Sequence, residues 1–238
     1  MMAALTNHLW QSTLVALVAG LLTAAFRHHR AQVRYALWFA ASLKFLVPFS
    51  ALVSLGSLFA WAPATRLTVS VTPAVSVIAE QVAQPFSDVS FTAPAVPRAS
   101  VDWVTPTLAV TWACGFVVVV VFRLRAWRRI RRAVRASTAL DLPRMTPAVP
   151  VRSSAVLLEP GIVGVWRPML LLPAGISAHL TAEQLDAVLI HELCHVRRRD
   201  NLTAAVHMLV EAVAWFHPLV WWIGARLVDE RERACDED

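Results

Sequence analysis

Charged residues are scarce in this chain. Only 16% of its 238 residues are Asp, Glu, Lys or Arg, whereas soluble domains average roughly 25%. Hydrophobic residues make up 57% of the chain and form long apolar runs. This composition argues against a soluble enzyme with a large core and indicates an integral membrane protein.

Cysteine and lysine are also rare. The three cysteines, Cys114, Cys194 and Cys235, form no C-x-x-C pair, so no disulfide framework is indicated. Lys44 is the single lysine and lies within an apolar run. We expect Lys44 to snorkel or to pair with a polar group of the first apolar run, and a signalling role is the alternative.

Three apolar runs are long enough to cross a bilayer, which takes about 20 residues. They cover about residues 5–26, 35–59 and 104–122. The third run leads directly into a basic amphipathic helix that extends to Arg135. We therefore predict three transmembrane helices, the last with a juxtamembrane extension that lies against anionic lipid.

The basic residues indicate the orientation. The formal net charge is +6, and arginines cluster after the first and third runs. Residues 60–103 carry only two arginines, at 66 and 98. The positive-inside rule then predicts an outside N-terminus, an extracytoplasmic loop at 60–103, and a cytoplasmic location from Arg123 to the histidine motif described next. Because the arginines flank apolar runs, we expect no direct nucleic-acid binding.

The most informative stretch is H-E-L-C-H at residues 191–195, followed by V-R-R-R-D-N. Residues four apart share a helix face, so His191 and His195 can reach one metal ion. Glu192 lies beside that face and can take a proton from a metal-activated water and pass it to the leaving amine. The pattern is typical of zinc peptidases and predicts Zn²⁺ as the cofactor. The alternative is an ordinary surface helix, which the flanking sequence disfavours.

A third protein ligand is needed. Residues 202–227 resemble a fourth span, but a straight helix of about 20 residues covers roughly 30 Å and would carry the C-terminal acids across the membrane. Pro218 interrupts this stretch, and proline breaks a helix interior. We therefore predict a membrane-dipping helical hairpin, about 202–216 and 219–233, that returns to the side of His191.

Three carboxylates are candidates for that ligand: Glu211, Glu230 and Glu232. A metal-bound imidazole usually donates its other N–H to a carboxylate. Glu232 has Asp236 four residues later, whereas the other two have Trp and Ala there. We therefore predict that Glu232 binds the metal, that Asp236 orients a ligand histidine, and that Glu211 is a buried polar partner or lines the water path.

The remaining residues near the motif have several possible roles. Cys235 can bind zinc as a thiolate, but we interpret it as a packing residue. Arg198 and Asp200 are predicted to support the site by pairing with each other or by fixing the loop to the hairpin, and a simple helix-end charge cluster is the alternative. The oxyanion-stabilising group stays open among His207, His217, Arg226 and Arg231.

Residues 136–180 precede the motif helix. Ala155–Leu158 and Met169–Leu172 are predicted strands. We expect the leucines of the second strand to form an edge that holds substrate by strand addition, and an ordinary core strand is the alternative. Thr181 and Gln184 predict a capping box at the start of the motif helix.

Several motifs together resemble a known family. They are N-H-L-W-Q-S-T at 7–13, L-K-F at 43–45, the stretch at 191–201, W-F-H-P-L-V-W at 215–221 and E-R-A-C-D at 232–236. The chain resembles bacterial membrane metallopeptidases of the beta-lactam-sensor signal-transducer type. The resemblance implies a zinc peptidase of the cytoplasmic membrane with a gluzincin-like site.

The same resemblance implies a function. The implied function is that of a zinc-dependent endopeptidase in regulatory proteolysis, which cleaves itself, a cytoplasmic repressor, or both. The alternative is a non-catalytic membrane transducer with a structural zinc site. A prenyl-protein protease is disfavoured by the three predicted spans and by the x-x-R-x-D-N tail. The sequence ends at Asp238 without a Ser-x-x-Lys motif, so we expect either a fragment of a longer sensor or another trigger.

The predicted architecture is mostly α-helical and membrane-integral, with a few short strands. Its expected partners are the lipid bilayer and a protein substrate, and the sequence does not fix an oligomeric state. The predicted parts are two spans within 1–59, the loop 60–103, the third span with its basic helix at 104–135, and a peptidase domain at 136–238 containing the hairpin 202–233.

Overall fold

The computed structural model describes residues 2–48, 78–79, 81–86, 103–140, 148–156, 159–176 and 180–237. This part of the chain is mostly helical with one small sheet. The elements discussed below are α1 (Met2–Ala25), α2 (Ala31–Lys44), α3 (Val104–Ala136), β1 (Thr138–Ala139), β2 (Val151–Ser154), β3 (Gly161–Val163), β4 (Met169–Pro173), α4 (Ala182–Arg198), α5 (Asp200–Val213) and α6 (Pro218–Asp236).

Within the described residues, α1 and α3 have the length and apolar composition of membrane spans. They correspond to the first and third predicted spans, and the predicted basic helix is the C-terminal part of α3 itself. A third transmembrane helix is not confirmed. Helix α2 has 14 residues and ends at Lys44, and at 1.5 Å per residue it covers only about 21 Å. Residues 49–59 of the predicted second span lie outside the described residues.

Most of the predicted loop at 60–103 also lies outside the described residues. The part that is described contacts the polar face of α1. The side chain of Gln11 donates to the carbonyl of Ala83 at 2.9 Å, and Asn7 accepts from the backbone N–H of Phe86 at 3.1 Å. Polar groups near the N-terminus of α1 are thus satisfied by this segment.

The stretch after the motif helix turns back on itself, and the predicted dip of this hairpin into the membrane stays a prediction. Helix α5 ends at Val213, and α6 begins with Pro218 as its first residue, a position where the missing N–H costs no helical bond. Both helices pack on α2 in a core that includes Trp38, Val210 and Ile223. The observed arms, 200–213 and 218–236, are displaced by a few residues from the predicted ones.

Buried polar groups join the helices. The ammonium of Lys44 lies 3.4 Å from Nδ1 of His8 and 3.5 Å from Oγ of Ser12, so its predicted pairing with the first span is confirmed. Arg34 of α2 binds Glu230 of α6 at 2.7 Å, and both side chains are buried. Leaving one member of such a pair unpartnered costs about 3–5 kcal/mol, so these contacts fix how the helices align.

The sheet corrects two predictions. Its strand order is β1-β2-β4-β3, with β2 and β4 parallel and the other pairs antiparallel. The first predicted strand, Ala155–Leu158, is wrong where it is described, because the strand Val151–Ser154 ends just before Ala155. Residues 157–158 of that prediction lie outside the described residues. The edge role of Leu170–Leu172 is also wrong, because β4 is paired on both sides and these three leucines are fully buried.

The motif helix α4 begins with the predicted capping box. The hydroxyl of Thr181 accepts from the N–H of Gln184, whose side chain accepts from the N–H of Thr181. The helix ends at Arg198. Arg199 then adopts a left-handed conformation with φ 57°, and α5 begins at Asp200. This single residue turns the chain sharply beside the motif.

The contact between α3 and the hairpin provides a test. The indole N–H of Trp112 donates to the carbonyl of Val213, and Trp215 donates to the carbonyl of Trp112. A Cβ at Gly115 would overlap the ring of Trp215. We predict that Gly115→Ala destabilises the protein by about 1–3 kcal/mol through overpacking, measured as a lower midpoint in thermal unfolding.

Gly161→Ala is the matched control, because a Cβ there meets no atom within 4 Å. It should leave the midpoint nearly unchanged. Equal effects of the two substitutions would contradict the packing of α3 against the hairpin turn.

Candidate metal centre

Two histidines project from one face of α4. The rings of His191 and His195 lie 5.0 Å apart at 86° to each other. Leu189 and Cys194 of the same helix are buried, and Leu189 belongs to the core formed with β4. The capped, anchored helix therefore holds both imidazoles towards the surface from which α6 approaches.

Glu232 of α6 completes the group. Its Oε2 lies 3.5 Å from Nε2 of His191 and 3.6 Å from Nε2 of His195, while its Oε1 accepts from Arg231 at 2.9 Å. Ligand bonds of 2.0–2.1 Å in tetrahedral geometry would place donor atoms about 3.3–3.4 Å apart. Two imidazoles and one carboxylate at these separations fit a zinc ion. The structure therefore brings together the three predicted ligands, and their binding of metal stays a prediction.

His195 has a buried carboxylate behind it. Its Nδ1 lies 2.7 Å from Oδ2 of Asp200, whose side chain is 3% exposed, and the other oxygen of Asp200 lies 3.5 Å from Nε of Arg198. The predicted pairing of Arg198 with Asp200 is observed. The contact of Asp200 with His195 was not predicted from the sequence. The Asp in the x-x-R-x-D-N tail could have indicated it. With Nδ1 held this way, Nε2 of His195 is directed at Glu232.

A carboxylate also lies beside His191, but it is farther from the ring and more exposed. Nδ1 of His191 lies 3.5 Å from Oδ1 of Asp236, whose side chain is 71% exposed. Asp236 therefore lies where the sequence predicted it, beside a candidate ligand histidine. The longer distance and the solvent exposure make this carboxylate a looser orienting group than Asp200.

Glu192 lies next to the three candidate ligands and is half-buried. Burial raises the pKa of its carboxyl, and the neighbouring His195 and His191 act in the opposite direction. A carboxylate with a raised pKa is a stronger base than one in open water, which suits a group that must accept a proton.

The other candidate ligands have different partners. Glu211 is buried and pairs with Arg123, which confirms its predicted place as a buried polar partner. Glu230 is paired with Arg34 and Arg233.

Cys235 lies close to the histidines. Its Sγ is 3.3 Å from Nδ1 of His195, the nitrogen that already contacts Asp200. Burial raises the pKa of the Cys235 thiol. The sulfur faces Nδ1 of His195, whereas Glu232 faces Nε2, so Cys235 lies on the other side of the ring from the three candidate ligand atoms.

Of the four open candidates for oxyanion stabilisation, three lie elsewhere. His207 hydrogen-bonds Ser42 in the helix core. His217 precedes Pro218, about 22 Å along α6 from Glu232, and Arg226 pairs with Asp229. Arg231 is held against Glu232 and is the candidate that the structure brings to the site.

Known proteins are similar to this chain over parts of its length. A family model described as BlaR1 peptidase M56 matches residues 3–238, nearly the whole chain. The chain is 39% identical to the regulatory protein BlaR1 of Bacillus licheniformis over 83 residues, which are 35% of this chain and 14% of that protein.

Two further relatives are more distant or shorter in overlap. The methicillin resistance mecR1 protein of Staphylococcus aureus is 18% identical over 149 residues, 57% of this chain and 25% of that protein. A protease HtpX homolog of Lactiplantibacillus plantarum is 37% identical over 67 residues, 25% of this chain and 21% of that protein. The matched region thus spans a quarter or less of each relative's length.

The two carboxylates behind the histidines should differ in their effect on metal affinity. Loss of a carboxylate that orients a ligand histidine typically costs 10–100-fold. We predict a loss of this size for Asp200→Asn, which is buried, and a smaller loss for Asp236→Asn, which is exposed. Zinc affinity measured by competition with a chromophoric chelator tests the order.

Asp229→Asn is the control, because Asp229 is exposed and lies on α6, the helix that also carries Asp236. This variant should bind zinc as the unmodified chain does. A larger loss for Asp236→Asn than for Asp200→Asn would contradict the assignment.

Proposed function

The chain belongs to the BlaR1 peptidase M56 family, and from this premise we propose that it is a membrane-embedded, zinc-dependent endopeptidase. The observation that carries the proposal is the convergence of His191, His195 and Glu232, whose candidate ligand atoms all lie within 4.8 Å of one another. They come from two helices separated by the hairpin turn. Such a set supports a catalytic zinc centre with three protein ligands and one open position.

The residues have distinct roles in this proposal. Zinc bound there would polarise a peptide carbonyl and lower the pKa of a water to about 7. Glu192 takes the proton of the attacking water and delivers it to the leaving amine. Asp200 holds His195 in one ring orientation, and Arg198 holds Asp200. Arg231, beside Glu232, is the proposed donor to the oxyanion.

The proposed biological role is regulatory proteolysis. Two of the similar proteins are named as a regulatory protein and a methicillin resistance protein, and a third as a protease homolog. The proposed substrate is a protein, either this chain itself or a cytoplasmic repressor. From the arginine distribution we also propose a multi-pass protein of the cytoplasmic membrane, with an outside N-terminus and the site on the cytoplasmic side.

Glu192→Gln tests the catalytic role directly. The substitution keeps the size and hydrogen-bonding reach of the side chain but removes the base. In zinc-loaded protein reconstituted into vesicles, we predict that peptide-bond cleavage falls by about 10²–10⁴-fold, while bound zinc stays near one per chain. Cleavage is followed by mass spectrometry of peptide products, including fragments of the chain itself.

Glu183→Gln, in the exposed first turn of the same helix, is the matched control and should retain activity. Full activity of Glu192→Gln would refute the mechanism. Bound zinc without hydrolysis in the unmodified chain would instead favour a non-catalytic transducer with a structural metal.

A further inference from the structure

A cleft lies at the end of α1 that is remote from the N-terminus, between α1, α2 and α6. Its volume is about 570 Å³, within the 300–1,000 Å³ common for small-molecule sites. The apolar part is formed by Leu17, Gly20 and Leu21 of α1 together with Trp38 and Trp222. The two indoles meet edge to face at 4.7 Å. The cleft is separate from the histidine site.

The other part of the cleft is basic. Four arginines line it, Arg27, Arg34, Arg226 and Arg233, with Glu230 as the single carboxylate. Glu230 is neutralised by Arg34 at 2.7 Å and by Arg233 at 2.9 Å. The cleft therefore keeps a net positive charge.

Two of these arginines are available for a ligand. Arg226 is exposed and has only the exposed Asp229 as an acidic partner, at 3.3 Å. Arg27 is exposed, and its guanidinium donates to the ring of His28. Among the described residues, no carboxylate pairs with Arg27. Neither arginine makes a strong ion pair that a ligand would have to break, because exposed pairs contribute little free energy.

The arrangement matches the depth of one membrane leaflet. From Leu17 to Arg27 is ten residues, about 15 Å along a helix, and the hydrocarbon core of a bilayer is about 30 Å thick. With Arg27 at the headgroup level, Leu17 lies near the bilayer centre. The apolar wall thus lies at acyl-chain depth and the arginines at phosphate depth.

We propose that this cleft binds one anionic phospholipid, with its phosphate between Arg27 and Arg226 and its acyl chains along Leu17, Leu21 and Trp222. A basic pocket between helices at a membrane surface is a known mode of anionic-lipid recognition. The apolar wall distinguishes a lipid from a free phosphate, which would leave that wall unused. Helix α6 also carries Glu232, so the lipid contacts the helix that supplies the third candidate metal ligand.

Native mass spectrometry of the full-length purified chain tests the proposal. The probes are phosphatidylglycerol and phosphatidylcholine with identical acyl chains. We expect one phosphatidylglycerol to bind more tightly than any phosphatidylcholine. Each arginine near an anionic lipid contributes about fivefold in affinity, so Arg27→Gln/Arg226→Gln should weaken this first site about thirtyfold, and each single substitution about fivefold.

Arg167→Gln is the matched control for the single substitutions. It removes one positive charge from an exposed position outside the helices that line the cleft and should keep the affinity of the first site. Equal binding of the two lipids, unchanged binding by the cleft variant, or an equal loss in the control would overturn the proposal. Displacement of the bound lipid by inorganic phosphate at equal concentration would also overturn it, because the site would then recognise a free anion.

Discussion

The reversal of the chain at Pro218 is the constraint on which the candidate site depends. Helix α4 supplies two nitrogen ligands, but the nearest suitable carboxylate is Glu232, 37 residues after His195. A continuous helix over that stretch would move Glu232 about 55 Å away. Because α6 begins anew at Pro218 and runs back along α5 and α2, Glu232 instead lies within 3.6 Å of both imidazoles.

The helices that hold this hairpin are joined by polar contacts in an apolar setting. Arg34 binds Glu230, two residues before Glu232 on α6. Glu211 of α5 pairs with Arg123 of α3, and His207 bonds Ser42 of α2. Because an unpaired charge in such a setting is costly, sliding any helix past its neighbours would be strongly unfavourable. These pairs therefore align the helices that position the ligand, although they take no part in the chemistry.

Much of the site was predictable because its signals are local. The capping box and the four-residue spacing of the histidines fix the face of α4, and Pro218 marks the turn. The contact between Asp200 and His195 was missed because it depends on the left-handed conformation of Arg199, which arginine does not favour. The place of Leu170–Leu172 in the sheet was missed because it depends on strand order, which pairs β4 with β3 on one side and with the parallel strand β2 on the other. The end of α2 at Lys44 was missed although Pro48, which has no N–H to bond the carbonyl of Lys44, is a local signal for it.

The central claim is that the hairpin delivers Glu232 as the third ligand of a zinc ion. X-ray absorption spectroscopy of the zinc-loaded full-length chain measures the ligand set directly. We expect two imidazole ligands with oxygen atoms as the remaining ligands, and loss of one oxygen ligand or of the metal itself in Glu232→Ala. A zinc–sulfur distance of about 2.3 Å, which would implicate Cys235, or a spectrum unchanged in Glu232→Ala, would contradict it.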